Sequence, residues 1–285
     1  MLRPIDNKTI QFSLPEPATV AKRVSDRLPG FAACEWVAQT TSTNAELLAS
    51  RRQVGNSAWP RLLGAHHQTQ GRGRLGRRWL DLPSQALMFS CGFALPAKAT
   101  PSLTCLGPAL GISSRMAIGE FLTEPESLRV KWPNDLMLKH GKVAGLLTEA
   151  VTQGEQLLVV VGMGMNLSGQ SELSTTLERE VAAIAPHLRA GVTVEDLICS
   201  LALAWQTTIK TIEQQGFTPY HAAFMEHDYL AGHEVRVLQQ DQPIACGHAR
   251  GVDHRARLLV MTDHGLSSFD IGDVSVRLNL SQATT

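Results

Sequence analysis

The fold is decided by residues 128–145, which read Leu-Arg-Val-Lys-Trp-Pro-Asn-Asp-Leu-Met-Leu-Lys-His-Gly-Lys-Val-Ala-Gly. Short apolar runs alternate there with polar turn residues, which is typical of β-strands. The pattern predicts strands at Leu128–Trp132, Leu136–Lys139 and Lys142–Val151. Pro133 has no backbone N–H, so a regular central strand should stop there. Asn134 and Asp135 then lie at a strand exit, where functional polar groups tend to collect.

Outward from this segment, the first 230 residues alternate between predicted strands and predicted helices. Apolar runs predict strands at Phe31–Val37, Leu62–Ala65, Gln85–Phe93 and Leu157–Met165. Helical spacing predicts helices at Ala18–Leu28, at Leu106–Leu122 with Ala109, Ile112 and Met116 on one face, and from Thr193 with Leu197, Leu201, Trp205 and Ile212 on one face. A further helix should run to about Leu230, and Thr43 with Glu46 fits a capping box.

The character of the sequence changes after Gly232. Turn residues separate five short predicted strands, at Glu234–Leu238, Ile244–Val252, Arg257–Met261, Leu266–Asp270 and Val274–Leu278. Such spacing is typical of a small barrel. We therefore expect an N-terminal extension (1–30), an α/β (α+β) catalytic domain with a mixed sheet (31–231) and a small β-barrel domain (232–285).

A basic, glycine-rich run lies at residues 71–79, which read Gly-Arg-Gly-Arg-Leu-Gly-Arg-Arg-Trp. The whole chain of 285 residues has a formal net charge of zero. A local cluster of arginines on a neutral protein favours a site for one small anion over general polyanion binding. Glycine allows close approach of backbone N–H groups, and arginine supplies a planar fork of donors for phosphate or carboxylate.

An ordered set of segments carries a family resemblance: Thr41-Ser42-Thr43-Asn44, Gln68-Thr69-Gln70, the arginine run, Lys131-Trp132-Pro133-Asn134-Asp135, Lys142-Val143-Ala144-Gly145 and Gly162-Met163-Gly164-Met165-Asn166. In order and approximate spacing, this set resembles the biotin–protein ligases over roughly residues 35 to 280. The resemblance implies a class II synthetase/biotin–lipoate ligase-like catalytic domain and an SH3-like C-terminal barrel. Some relatives add an N-terminal DNA-binding domain, which needs about 60 residues with a helix-turn-helix. We expect a stand-alone ligase without it.

The resemblance also implies the site residues. Those implied to bind biotin are Ser42, Thr43, Asn44, Gln68, Arg72, Gly73, Arg74, Lys142 and Gly145. Those implied to bind ATP are Arg74, Arg77, Trp79, Lys131, Asn134 and Asn166. The implied catalytic residues are Arg74, Lys142 and Asp135. No metal-ligating residue is assigned.

Several roles stay open at this stage. Ser42 and Thr43 suit either ligand binding or helix capping. Asp135 suits indirect Mg²⁺ binding or orientation of an acceptor lysine, and Trp79 suits adenine stacking or core packing. Trp132 fits the core better than a ligand contact, because large aromatic side chains usually dominate packing. Lys139, unlike Lys142, is expected to face solvent.

The function implied is activation of biotin with Mg-ATP to biotinyl-5′-AMP, followed by transfer to a lysine of a biotin carboxyl carrier domain. A lipoate–protein ligase is the alternative enzyme, and the paired motifs argue against it. A nucleic-acid-binding module using Arg72–Arg78 is the alternative outside enzymes, and zero net charge counts against it. We expect no specific DNA binding and a monomer or homodimer.

Composition excludes other classes. Hydrophobic residues make up 44% of the chain, enough for a sizeable core, without the roughly 20-residue apolar stretch of a membrane span. No signal-peptide core, P-loop or catalytic-triad motif is present. The five cysteines are scattered and lack a Cys-x-x-Cys pair. We expect reduced thiols in a cytoplasmic protein.

Overall fold

The structure is a computed structural model that describes residues 14–51, 58–96, 103–272 and 274–278. Its helices are α1 (Pro17–Arg27), α2 (Thr43–Ser50), α3 (Leu103–Gly119), α4 (Gln170–Leu177), α5 (Val194–Gln215) and α6 (Thr218–His227). Its strands are β1 (Ala33–Thr40), β2 (Arg61–Gln68), β3 (Ala86–Pro96), β4 (Leu128–Lys131), β5 (Asp135–Leu138), β6 (Gly141–Gln153), β7 (Gln156–Asn166), β8 (Glu234–Gln239), β9 (Gln242–Val252), β10 (Leu258–Thr262), β11 (Gly265–Phe269) and β12 (Val274–Leu278). None of the helices described is long and apolar enough to cross a membrane.

Seven strands form a mixed sheet in the order β1-β2-β3-β7-β6-β5-β4. Only β1 and β2 pair in parallel, and the other neighbours are antiparallel. Strands β3 and β7 are apolar on both faces and almost wholly buried, as expected for central strands. One face is covered by α3 and α5, where the Trp205 ring stacks on Phe89 at 5.0 Å. The mixed α/β sheet confirms the predicted fold class.

Most of the predicted helix boundaries are confirmed, and two predictions about individual residues are wrong. Thr193 caps α5 through a complete capping box with Asp196. The capping box predicted at Thr43 is wrong, because α2 has Ser42 at its N-cap and no side-chain capping bond. Met116 does not share the buried face of α3, since half of its surface is exposed. Helix α4 was not predicted.

Helix α1 belongs to the main core. Val20 and Val24 are fully buried in the same apolar cluster as the central sheet. Arg23 and Arg27 form ion pairs at 3.2 and 2.9 Å with two carboxylates at the start of α5. The described part of the predicted N-terminal extension therefore packs on the larger α/β unit.

The last five strands form a separate antiparallel sheet in the order β11-β10-β9-β8-β12. All five predicted strands are present, and no end is shifted by more than two residues. The Trp132 indole Nε1 donates to the Ala256 carbonyl at 3.0 Å, which ties this sheet to the end of β4. The His221 ring on α6 contacts the Val252 carbonyl of β9 at 2.9 Å. These contacts fix the small sheet beside the strand exits of the large one.

Candidate functional site

A cavity of about 1050 Å³ is lined by residues of both sheets. All but one of the site residues predicted from the sequence line this cavity. Those that do are Ser42, Thr43, Asn44, Gln68, Arg72, Gly73, Arg74, Arg77, Trp79, Lys131, Asn134, Asp135, Lys142 and Gly145. These residues come from segments more than 100 positions apart in the chain. Their convergence indicates a single site.

The exception is Asn166, which does not line the cavity. Its side chain is buried, and its Nδ2 donates to the Ala182 carbonyl at 3.2 Å and to the Lys142 carbonyl at 3.4 Å. The structure therefore does not bring Asn166 to the site as a nucleotide contact. It holds the backbone from which the Lys142 side chain projects.

One wall of the cavity is built from hydroxyl and amide groups. The Thr43 backbone N–H donates to the Gln68 side-chain oxygen at 2.7 Å, which fixes the amide at the end of β2. The Thr43 hydroxyl lies 2.6 Å from the Ser90 hydroxyl on β3. Because neither Ser42 nor Thr43 caps α2 with its side chain, helix capping does not account for these two hydroxyl groups.

Ser90 and Glu149 were missed by sequence reasoning. The Ser90 hydroxyl donates to Asn44 Oδ1 at 2.6 Å, and Asn44 Nδ2 donates to Glu149 Oε2 at 2.8 Å. Both lie within strands whose apolar pattern masks an isolated polar residue, and no motif flanks them. Gly162 makes room for this network, because a Cβ there would lie only 2.1 Å from Asn44 Oδ1.

The cavity lining also contains an ion pair. Lys142 Nζ lies 2.6 Å from Asp135 Oδ1 and 5.6 Å from the centroid of the Trp79 ring. Both charged side chains are about one-quarter exposed. Gly145 pairs with Asp135 across the strands, and a Cβ there would come within 2.8 Å of Lys142 Nζ. Glycine at this position therefore allows the ammonium to lie against the strand.

The strand register explains how Lys142 reaches the cavity. The pairing of β5 with β6 shifts between Leu136 and Met137, so that Leu136 faces Ala144 and Met137 faces Lys142. Val143 is the additional residue of this bulge. A β-bulge redirects side chains and is common beside functional sites.

Lys131 adds a second cation from the end of β4. Burial lowers the pKa of Lys131, and the nearby charge of Asp135 opposes that effect. The positive charges of Lys142, Arg179 and Arg277 lower it further. Arg179, which follows α4, and Arg277 on β12 also line the cavity. Sequence reasoning missed both, because no motif surrounds them and only the fold brings them near Lys131.

The arginine loop is folded back on itself and held against the small sheet. The Gly73 N–H donates to the Arg77 carbonyl at 2.7 Å. Arg74 Nη2 donates to the carbonyl groups of Ile271 at 2.5 Å and Gly272 at 2.9 Å. Arg77 Nη2 lies 3.4 Å from the hydroxyl of Ser275, where the guanidinium donates. The C-terminal sheet therefore orders the loop that borders the cavity.

Trp132 and Lys139 were predicted to serve packing and solvation instead of catalysis. Trp132 is buried, with its indole N–H satisfied by a backbone carbonyl. Lys139 is exposed and has a backbone φ of 55° in the turn before β6. The predicted burial of Trp132, which also lines the cavity, and the predicted exposure of Lys139 are confirmed.

Comparison with known proteins agrees with this arrangement. The model of the biotin/lipoate A/B protein ligase family matches residues 36–166. The chain is 30% identical to the biotin–[acetyl-CoA-carboxylase] ligase of Mycobacterium tuberculosis, over 86% of this chain and 89% of that protein. The chain belongs to the biotin/lipoate A/B protein ligase family.

Two further relatives extend the match. The chain is 27% identical to the bifunctional ligase/repressor BirA of Escherichia coli, over 93% of this chain and 81% of that protein. It is also similar to a solved structure of the biotin protein ligase of Aquifex aeolicus in complex with biotin and ATP. That likeness has a TM-score of 0.71 and 26% identity and covers 85% of this chain and 97% of that one.

Proposed function

We propose that this chain activates biotin with ATP to biotinyl-5′-AMP and transfers the biotin to one lysine of the biotin carboxyl carrier domain of a carboxylase. One observation carries the proposal. A single cavity combines a wall of hydroxyl and amide groups with a cluster of cations, as a urea-containing carboxylic acid and a nucleotide require.

The hydroxyl and amide wall suits the ureido ring of biotin. A urea edge offers N–H donors and a carbonyl acceptor, and such a ring needs a few placed partners within an otherwise apolar pocket. We assign Ser42, Thr43 and Gln68 to this ring. The carboxylate tail then extends towards Gly145 and Lys142, which share the cavity with them.

In the first step, a biotin carboxylate oxygen attacks the α-phosphorus of ATP. A new C–O–P bond forms as the bond to the β-phosphate oxygen breaks, and pyrophosphate leaves. Negative charge accumulates on the phosphorus oxygens, so fixed cations accelerate the step. We assign this role to Lys142 and Arg74, with Arg77 and Lys131 contacting the leaving phosphates. We assign Trp79 and Asn134 to the nucleotide.

ATP enters such reactions as its magnesium complex. Among the described residues, no group of three or more His, Cys, Asp or Glu side chains could hold a metal ion. Mg²⁺ commonly retains waters and takes one or two carboxylates together with substrate phosphates. The site fits that mode, with Asp135 as one of the carboxylates that line the cavity, and the ion would neutralise phosphate charge.

In the second step, the acceptor lysine amine attacks the carbonyl carbon of biotinyl-5′-AMP. An amide bond forms, and AMP leaves with the bonding pair of the C–O bond. Asp135 is the group we assign to orient the ammonium of the acceptor and take its proton. Its present partner is Lys142, at 2.6 Å, so this carboxylate already binds an ammonium group in the structure.

Wider assignments follow from this proposal. We propose residues 31–231, on which helix α1 packs, as the catalytic domain and 232–285 as an SH3-like barrel domain. We propose that the protein acts as a monomer or homodimer and does not bind DNA specifically. Its location is the cytoplasm, where ATP and carboxylase carrier domains are available.

A calorimetric titration tests the substrate. Biotin should bind in the absence of ATP, and lipoate under the same conditions should show no comparable affinity. Equal binding of both acids, or of lipoate alone, would overturn the assignment. With Mg-ATP and an apo carrier domain, the protein should release pyrophosphate and modify the carrier. A carrier with its acceptor lysine replaced by arginine is the control and should stay unmodified.

A further inference from the structure

A continuous chain of hydrogen bonds connects Glu149 on β6 to the cavity wall. Glu149 Oε2 accepts from Asn44 Nδ2 at 2.8 Å, and Asn44 Oδ1 accepts from the Ser90 hydroxyl at 2.6 Å. The Ser90 hydroxyl in turn lies 2.6 Å from the Thr43 hydroxyl. Asn44, Ser90 and Thr43 are buried, so water does not replace these partners.

The direction of these bonds is fixed at the Asn44 amide. Its Nδ2 faces the Glu149 carboxylate and also the Leu147 carbonyl at 3.2 Å. A carboxylate and a carbonyl only accept hydrogen bonds, so the NH₂ group must point to them. The amide oxygen of Asn44 is then turned to Ser90, and that oxygen can only accept.

The next bond in the chain reaches Thr43 at the cavity surface. Ser90 has one hydroxyl hydrogen, and it goes to Asn44 Oδ1. The short contact between Ser90 and Thr43 therefore requires Thr43 to donate its own hydrogen to Ser90. Gln68 Oε1 lies at a longer 3.2 Å from the Thr43 hydroxyl and already accepts the Thr43 backbone N–H. Thr43 is left with oxygen lone pairs for any ligand in the cavity.

We infer that Glu149 is a positioning residue that sets this direction and makes the Thr43 hydroxyl an acceptor for a ligand N–H. The inference rests on the proposed function and deepens it, because the ureido ring of biotin supplies such an N–H. Arg72 Nη1 lies 4.0 Å from Glu149 Oε1, so the arginine loop places positive charge beside the carboxylate at the end of the chain.

The test replaces Glu149 without changing its shape. Glu149→Gln offers Asn44 either an acceptor or a donor, so that only the Leu147 carbonyl, at the longer distance of 3.2 Å, still favours the original direction of the chain. Biotin affinity should fall about tenfold, the loss of roughly one hydrogen bond. The maximal rate at saturating biotin should change less than twofold, because the bond-making end of biotin lies away from its ureido ring. Glu35→Gln is the matched control, since Glu35 pairs with Arg61 at 2.6 Å outside the cavity lining.

Two readouts separate positioning from simple loosening of the pocket. Cyclic carbamate analogues, in which an oxygen replaces either ureido N–H, should bind wild-type protein more weakly than biotin for at least one isomer. In Glu149→Gln, the affinities for biotin and for that isomer should become nearly equal. Ser90→Ala breaks the chain at its middle and should have the same effect. In a Thr43→Val background, Glu149→Gln should cause no additional loss.

Equal losses for biotin and both carbamates in Glu149→Gln, or an undiminished effect in the Thr43→Val background, would overturn the inference. Unchanged biotin affinity in Glu149→Gln would do so as well, and the proposed function would stand. Failure of the wild-type protein to bind biotin in the same titration would overturn the proposed function, and the inference with it.

Discussion

Replacement of Lys142 by alanine should cripple biotin-dependent pyrophosphate release. In the structure its ammonium lies 2.6 Å from Asp135, and the side chain is only about one-quarter exposed, so solvent screens it incompletely. At an effective dielectric constant of about 20, a cation about 4 Å from an anion is worth about 4 kcal/mol. Part of that attraction is present before reaction, which leaves about 3 kcal/mol specific to the transition state, or roughly a hundredfold in rate.

The matched control is Lys139→Ala. Lys139 is exposed, belongs to the same hairpin and has a φ of 55°, a conformation that alanine adopts no less readily than lysine. Loss of a solvated surface charge should change activity less than about twofold. The assay is the initial rate of pyrophosphate release at saturating biotin and Mg-ATP, with unfolding midpoints measured for both variants.

A second control isolates the charge of Asp135. Lys142→Ala leaves that carboxylate without its partner, and Asp135→Asn in the same chain removes the uncompensated charge. The double variant should remain slow, because the lost cation is the one that stabilises the reacting phosphate. Equal losses for Lys142→Ala and Lys139→Ala, or recovery in the double variant, would refute the reasoning.

Three further outcomes are expected. Gly162→Ala should weaken biotin binding at least about tenfold in calorimetry, because its Cβ would displace Asn44 Oδ1; normal affinity would argue against the wall. Burial raises the pKa of Asp228 to about 6 from 3.8, so its contribution to stability falls as pH rises through 4–6. Between pH 4 and 8, the stability of Asp228→Asn relative to wild type should rise by about 2 kcal/mol in urea unfolding, whereas a constant difference would contradict this. Arg74→Gly should free the arginine loop from Gly272, so that the adenylate escapes and biotinylates lysines indiscriminately. Tight retention of the adenylate by this variant would exclude a lid role.

Local chemistry explains which elements the sequence predicts correctly. Apolar periodicity and turn residues indicate the strands around Lys131 and Lys142, and the capping box at Thr193 indicates the start of α5. These features depend on neighbours within a few residues. The capping rule failed at Thr43, where the hydroxyl is bonded to Ser90 on β3 instead of to its own helix.

The amino-acid sequence was sufficient for the order of elements and for the residue types that the site requires. The three-dimensional fold was needed to show that Asn166 supports the backbone of Lys142 and that Glu149 ends the chain of bonds from Thr43. It was also needed to show that Arg74 is held by the carbonyl groups of residues 271 and 272. Turn and strand preferences act over a few residues, so the sequence displays them directly. Contacts between residues 24 to 198 positions apart depend on strand register and on packing between the two sheets, which no local pattern records.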